Sequence, residues 1–400
     1  MLTFLPVMIM LALSSSSLRR APSLLSPSSS AFQSSAFQLF SSAPPENVAP
    51  FPSPFDNGTF NGYDGMMTDS LLLPSGDLKM PPALSPSSVM EFQACPQSFL
   101  LRYIYKIREP TTPVLTKGTM VHAALEKIFE LKRSERTLGN LHDLLRLEWS
   151  KAKRENATDY AHLFKDVPEE REWGLSALRL LDNYWEIENP KTIETDPVFR
   201  ERWVRANFTE LEEGASSFMV RGIVDRLDLV RVPGSEDVVG AICDYKSGKA
   251  PDLKYSPATN ARIREEKFWQ LKIYALLLRE MNKKSREARI EGQLVSDELN
   301  STKTETESMQ IRVLRLMFLT NKVGKAEVLE YDLGESEEQR NEELDGVEEE
   351  LKCVWRDVKG LVEANDTEMW RHCDRKFCSC HSARRVFVRG LSEEVMVKKK

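Results

Sequence analysis

The run Arg221-Gly-Ile-Val-Asp225, followed nineteen residues later by Asp244-Tyr-Lys246, constrains this chain more than any other feature, because it sets two carboxylates and a lysine on neighbouring candidate strands. RGIVDRLDLVRV and VVGAICDYKSG both have strand composition. Pro233-Gly-Ser-Glu-Asp237 between them is turn chemistry, so the pair is predicted to form an antiparallel hairpin. A turn centred near Gly234-Ser235 sets Asp225 opposite Asp244, with Cβ atoms about 4.5 to 5.5 Å apart. The period of two then puts Lys246 on the face of Asp244. Opposed carboxylates suit a hard divalent cation, Mg²⁺ or Mn²⁺, and a lysine beside them can orient or deprotonate a water or stabilise a pentavalent phosphorus. That is the chemistry of phosphodiester hydrolysis. Taken alone, Asp244-Tyr-Lys246 would read as a solvated strand face.

The flanking segments supply the rest of a pattern. Upstream, Gly118-Thr-Met-Val-His122-Ala-Ala-Leu-Glu126 lies in a helix with apolar face Val121, Ala124, Leu125 and Ile128, and His122 and Glu126 stack beside it at i, i+4. Downstream, FWQLKIYALLL is a second helix with Gln270 and Tyr274 at the same spacing. Read in order, Gly-x-x-x-His, Gly-x-x-Asp, Asp-x-Lys and Gln-x-x-x-Tyr resemble the signature of the RecB-type branch of the PD-(D/E)XK nuclease superfamily. The segment from Leu84 through Cys95-Pro96 to Tyr103 resembles that branch's N-terminal helical segment. The resemblance runs from about residue 84 to 380. It implies His122, Asp225 and Asp244 as metal ligands, Lys246 with the two aspartates as the catalytic group, Gln270 and Tyr274 as substrate contacts, and Glu126 as a support for the histidine.

The implied fold is α/β: a restriction-endonuclease-like core with a mixed β-sheet flanked by helices, an N-terminal helical segment and a C-terminal Cys-containing closure. Helical patterns are predicted around 86–107, 118–133, 140–186 and 264–282, strands near 198–210, 217–232 and 238–246, and a second hairpin from RLMFLT and AEVLEYDL around Asn321-Lys-Val-Gly324. The nuclease domain is placed at 83–385, with a polar, mobile insertion at 283–307 and a tail at 386–400. Residues 1–40 read as a leader. MLTFLPVMIMLAL is apolar but short for a bilayer, Arg19 and Arg20 follow in serine-rich sequence, and no acid precedes Glu46. The repeated Ser-Ala-Phe-Gln at Ser30 and Ser35 resembles the junction of two-part leaders directed to plastids enclosed by extra membranes; the alternatives are the secretory pathway and the mitochondrion. Residues 41–82, rich in Pro, Gly, Ser and Asn, read as a disordered linker.

Charge is uneven. The formal net charge is −6, but Gly334 to Glu350 holds nine acids and one base, leaving the rest of the chain at +2. Leu344, Val347, Leu351, Val354, Val358 and Leu361 mark an amphipathic helix through that acidic run, expected to pack on its own domain rather than on a partner. Arg102, Lys106, Arg108, Lys249, Lys254, Arg262, Arg264 and Lys267, with Lys246, are candidate phosphate contacts. No GxxxxGK[ST] phosphate loop is present, so a helicase motor would have to come from a partner.

Three of the six cysteines, Cys373, Cys378 and Cys380, crowd near the C-terminus, and Cys95 lies in the N-terminal segment. The resemblance implies a [4Fe-4S] cluster held by one cysteine before the core and three after it, although the Cys-x-Cys spacing departs from the usual pattern. Zinc, with His372 or His381, is the alternative. Cys243 reads as core and Cys353 as helix packing. The function implied is a divalent-metal-dependent DNA nuclease, an exonuclease acting on single-stranded or duplex ends in organellar repair or recombination, working with a separate helicase or repair protein and not stably bound to a membrane. Two alternatives stand beside it: a silent module of the same fold that binds nucleic acid or a repair partner, and an RNA-processing nuclease.

Overall fold

The computed structural model describes residues 77–106, 111–193, 197–210, 217–232, 237–290, 309–375, 378 and 380. The leader, most of the linker, the hairpin turn at 233–236, Arg108, His381, insertion residues 291–307 and the tail lie outside them. The centre is a five-stranded mixed sheet in the order β1-β2-β3-β4-β5. Its strands are β1 (Phe199–Thr209), β2 (Ser217–Arg231), β3 (Val238–Lys249), β4 (Ile311–Thr320) and β5 (Glu327–Asp332). The β1–β2, β2–β3 and β4–β5 pairs are antiparallel and β3–β4 is parallel. A parallel pair needs a crossover, and the long helix α5 (Pro257–Ile290) lies in it. This is the α/β architecture of the restriction-endonuclease-like fold.

Local sequence sets the helix starts. Helix α1 (Pro86–Ala94) opens on a capping box in which Ser85 and Ser88 exchange side-chain and backbone bonds. The helical pattern over 86–107 breaks at Cys95-Pro96, where the proline denies the cysteine a helical conformation, and resumes as a short helix and a π-turn over Leu100–Ile104. Helix α2 (Pro113–Ile128) starts five residues before the predicted 118, because Thr112 caps it and Pro113 fills its first position. The span 140–186 is two long helices, α3 (Leu138–Glu155) and α4 (Val167–Ile187), with a single helical turn, Ala157–Tyr160, between them. Asp166, whose side chain accepts from the Glu169 amide, opens the second. Helix α5 runs past the predicted 282 to Ile290, over the first eight residues of the span read as a mobile insertion.

The core lies between the sheet and helices α1, α5 and α6 (Glu337–Glu363). Leu344, Val347, Leu351, Val354 and Val358 are buried there, so the amphipathic face of α6 is consumed within the domain. The buried Lys272 of α5 ties it to α6 through Glu343 and also meets Glu265 and the Tyr331 hydroxyl. On the other side, α4 holds α2 in place: Trp173 Nε1 donates to the Pro113 carbonyl at 2.7 Å and Lys117 Nζ to Ser176 Oγ at 3.2 Å. Among the described residues no helix is long and apolar enough to cross a membrane.

Candidate active site

The β2–β3 ladder pairs Arg226 with Cys243 and continues in step to Arg231 with Val238, the register predicted from the turn. Asp225 and Asp244 come next, and there the ladder opens: Asp225 Oδ2 accepts the Tyr245 amide at 3.1 Å. Beyond this fork the first half of β2 gains another neighbour. Leu84 bridges in parallel to Val220, its amide donating to Met219 O and its carbonyl accepting from Arg221 N, both at 2.9 Å.

His122 of α2 reaches the fork. Its Nδ1 lies 3.2 Å from Asp225 Oδ2. Burial pulls the imidazole pKa down, but the hydrogen bond and charge of Asp225 outweigh it and leave the pKa above the ordinary histidine value. Lys246 Nζ sits 2.7 Å from Asp244 Oδ2 and donates to Gln270 Oε1 at 2.9 Å, while Gln270 Nε2 donates to the Tyr274 hydroxyl at 3.0 Å. Gln270 and Tyr274 thus form a relay from α5 that fixes the lysine. Among the described residues Glu126 makes no ion pair or side-chain hydrogen bond with His122; its charge acts on Glu201 instead.

Glu201 is the residue the sequence did not disclose. In the β1–β2 register it stands opposite Asp225, and its backbone has φ +44°, a left-handed conformation uncommon outside glycine. Ligand atoms of His122, Glu201 and Asp225 lie within 4.8 Å of one another. Three adjacent strands therefore each bring a carboxylate to one place. Asp244 is the innermost, 3 % exposed, and joins this group through electrostatics rather than within the same 4.8 Å. Crowding shows in the acidities. Burial, then the charge of Asp225, raises the Glu201 pKa to about 7. Burial lifts Asp244 to about 6, with the charge of Lys246 opposing and that of Asp225 adding to the rise.

The donor set fits a hard divalent ion: three carboxylates and one imidazole, with the buried Asp244 Oδ2 held only by the Lys246 ammonium at 2.7 Å.

Two motif glycines are explained by close packing. A Cβ on Gly222 would lie 2.5 Å from Tyr274 Cε1 and 3.3 Å from Pro86 Cδ, and one on Gly118 would lie 3.2 Å from Ser247 Oγ. The glycine of Gly-x-x-Asp therefore lets the motif tyrosine seat over β2. Gly222→Ala is expected to cost about 1–3 kcal/mol by overpacking and to lower turnover by displacing Tyr274 and with it Gln270 and Lys246; thermal unfolding and a nuclease assay on one preparation read both.

Just past the end of α1, the sulfurs of Cys95, Cys373, Cys378 and Cys380 lie within 4.8 Å of one another, and no histidine joins them among the described residues. Trp370 stacks on Phe99, centroids 6.1 Å apart, and Gln97 N donates to Arg371 O at 3.1 Å, so the C-terminal return is packed against the N-terminal segment. Burial opposes ionisation of Cys373, but Arg375 and the neighbouring sulfurs bring its pKa down to about 6. Cys243 is buried as expected, yet it faces Arg226, Asp228 and Arg315 rather than apolar side chains.

A mixed sheet that forks between two carboxylate strands, with a lysine beyond the second and helices on both flanks, is the arrangement of the restriction-endonuclease-like fold. A family model of the PD-(D/E)XK nuclease superfamily matches residues 83–383, and the chain belongs to that superfamily, whose nucleases use divalent metals. No curated protein matches the chain.

Proposed function

We propose that this chain is a divalent-metal-dependent DNA nuclease of the RecB-type branch, an exonuclease acting in organellar repair or recombination. The observation that carries the reading is the convergence of His122, Glu201, Asp225 and Asp244 beside a lysine held at 2.9 Å by Gln270. These four residues would hold Mg²⁺ or Mn²⁺, which when bound supplies Lewis acidity and neutralises charge building on the phosphate. Lys246 orients the attacking water or faces the developing negative charge, and Gln270 keeps its ammonium from swinging away. Asp225 holds His122 in one ring orientation. A chain kept only for binding would have no use for acids so crowded that two have pKa values near 6 and 7, which argues against the silent-module reading. The RecB-type branch and the preference for DNA rest on the resemblance of the motifs, the preference for ends on analogy with that branch alone, and the plastid destination on the leader.

The test is degradation of end-labelled single-stranded DNA, duplex DNA and matched RNA by the protein in Mg²⁺ or Mn²⁺. Metal-dependent release of label from DNA supports the reading, and the label released first gives the polarity. Faster turnover of RNA would move the protein to RNA processing. Binding without turnover would leave the silent module.

For the four cysteines we propose a metal staple that joins the two ends of the domain. The resemblance favours a [4Fe-4S] cluster, so anaerobically prepared protein is expected to be brown with about four irons per chain. One measurement favours a second reading: Cys373 and Cys380 Sγ are 3.9 Å apart, near the roughly 3.8 Å between thiolates around one tetrahedral zinc. Colourless protein with one zinc per chain would establish it.

A further inference from the structure

The β1–β2 hairpin carries a second surface beside the carboxylates. Val204, Ala206 and Phe208 of β1 and Phe218, Val220 and Val224 of β2 are buried in the core. The alternate residues Trp203, Arg205, Asn207, Thr209, Ser217 and Arg221 are exposed, with Met219 and Ile223 half-buried among them. This outward strip leads to the site, since Trp203 lies two residues from Glu201 and its partner Ile223 lies two from Asp225.

Its composition is unlike an ordinary solvated face. Trp203 is 62 % exposed, and Arg205 is the direct cross-strand partner of Arg221. Opposed like charges destabilise a sheet. The Arg221 guanidinium lies 5.9 Å from the Trp203 ring centre, and neither arginine has an ion pair among the described residues. On β4, Arg312 bonds Asp332 and Arg315 bonds Glu330, and on β1 Arg200 bonds the Phe129 carbonyl and Arg202 lies over the Phe199 ring. None of the eight outward residues is acidic. Several cations first assigned to phosphate contact are already engaged, Arg102 with Glu91, Lys254 with Asp252 and Arg262 with Glu266.

We propose that this face is a track for single-stranded nucleic acid, on which Trp203 stacks with a base next to the scissile phosphate and Arg205 and Arg221 bind the adjoining phosphates. The proposal rests on reading the carboxylate cluster as the cleavage site. Two strand residues span about 7 Å, a reach comparable to one extended nucleotide step, so a base on Trp203 belongs to a nucleotide flanking the bond held at Glu201 and Asp225. A duplex keeps its bases stacked on each other and cannot offer one to the indole. An unpaired strand can, and every base has a face to stack, so the track selects strandedness rather than sequence.

The test is equilibrium binding of the full chain to a fluorescent single-stranded oligonucleotide, and to the duplex of the same sequence, in EDTA. Trp203→Ala should weaken single-strand binding about tenfold and duplex binding less than twofold. Trp203→Phe should restore most of the loss. The Arg205→Ala, Arg221→Ala double variant should flatten the salt dependence of log Kd by about 1.4, two phosphate contacts' worth. These side chains are exposed, so the variants keep the wild-type fold. Unchanged binding in Trp203→Ala, equal losses on single strand and duplex, or a wild type that binds no single strand overturns the track; the first would leave the indole to a protein partner. Cleavage in Mg²⁺, followed in parallel, separates the two readings. Asp244-dependent cleavage with Trp203-independent binding refutes the track alone, and Trp203-dependent binding with no cleavage refutes the nuclease alone.

Discussion

Asp244→Asn should lower metal-dependent turnover by about three orders of magnitude or more, since a ligand worth several kcal/mol of transition-state stabilisation is lost, while leaving the chain at least as stable as the wild type. The second half follows from the acidity of the group. Asp244 is buried, and its pKa is raised to about 6 by that burial, with Asp225 adding to the rise against Lys246. An acid whose folded pKa is raised keeps its proton after the unfolded chain has lost it. The contribution of Asp244 to wild-type stability therefore falls as pH rises from about 4 to 6, and that of Glu201 falls on to about 7. Asparagine removes the first of these contributions, so the variant's relative stability should improve between pH 4 and 6 and then level off. A cation binds the deprotonated form. Mn²⁺ should accordingly raise the wild-type Tm more at pH 8 than at pH 5.5, with proton release below pH 7, and the variant should lose most of that rise. End-labelled DNA degradation and paired unfolding scans measure both effects. Undiminished turnover in Asp244→Asn would remove the carboxylate from the site.

Much of this site could be read before folding because its spacing is short-range. The hairpin joining Asp225 to Asp244 has one clear turn, Pro233-Gly-Ser-Glu-Asp237, and one turn fixes a whole register. His122, Gln270 and Tyr274 lay on helices whose apolar faces were plain. Glu201 was hidden because the segment after β1, Glu210-Leu-Glu-Glu-Gly214-Ala-Ser-Ser217, offers no single turn centre, so the residue facing Asp225 could not be counted off. Its positive φ has no local signature either, since glutamate is not a residue chosen for that conformation. The parallel β3–β4 pair was likewise out of reach. Its partners are joined through α5 and the segment after it, and nothing local in either strand says which neighbour it will take. Arg226 and Asp228 give no signal for a different reason: alternating charge along a strand reads as a wet face.

They are the reverse. Arg226 is 1 % exposed and lies at the junction of the site's supports. Its Nη1 and Nη2 bond Glu188 at 2.6 and 2.8 Å, Nη2 also bonds Asp228 Oδ2 at 2.7 Å, and Nη1 donates to the Tyr245 hydroxyl at 2.7 Å. The guanidinium stacks 5.2 Å from the Phe129 ring, just past the end of the helix that carries His122. One cation thus links α2, the end of α4, β2 beside Asp225 and β3 beside Asp244. Arg226→Met should therefore have the largest effect on stability of any substitution considered, a loss of about 3–5 kcal/mol, because it takes from Glu188 and Asp228 their hydrogen-bonded counter-charge and leaves them only the more distant Arg315, 4.0 Å from Asp228. The pH dependence carries the sign. In the wild type, burial pushes the Glu188 pKa up, but the bonds and charge of Arg226 hold it below the ordinary value, so its contribution is present above about pH 4.5 and fades as pH falls through the folded pKa. Without the arginine, burial is opposed only by the Tyr184 hydroxyl and the charge of Arg315, so the carboxyl pKa rises and the variant should recover stability on acidification toward pH 5. Adding Glu188→Gln and Asp228→Asn should restore most of the loss at pH 7.5, since a neutral cluster needs no cation. Urea unfolding of the three proteins at pH 5 and 7.5 decides the matter. A single variant within about 1 kcal/mol of wild type, or a triple variant no better than the single, would show that packing around the side chain rather than its charge holds the strands beneath Asp225 and Asp244.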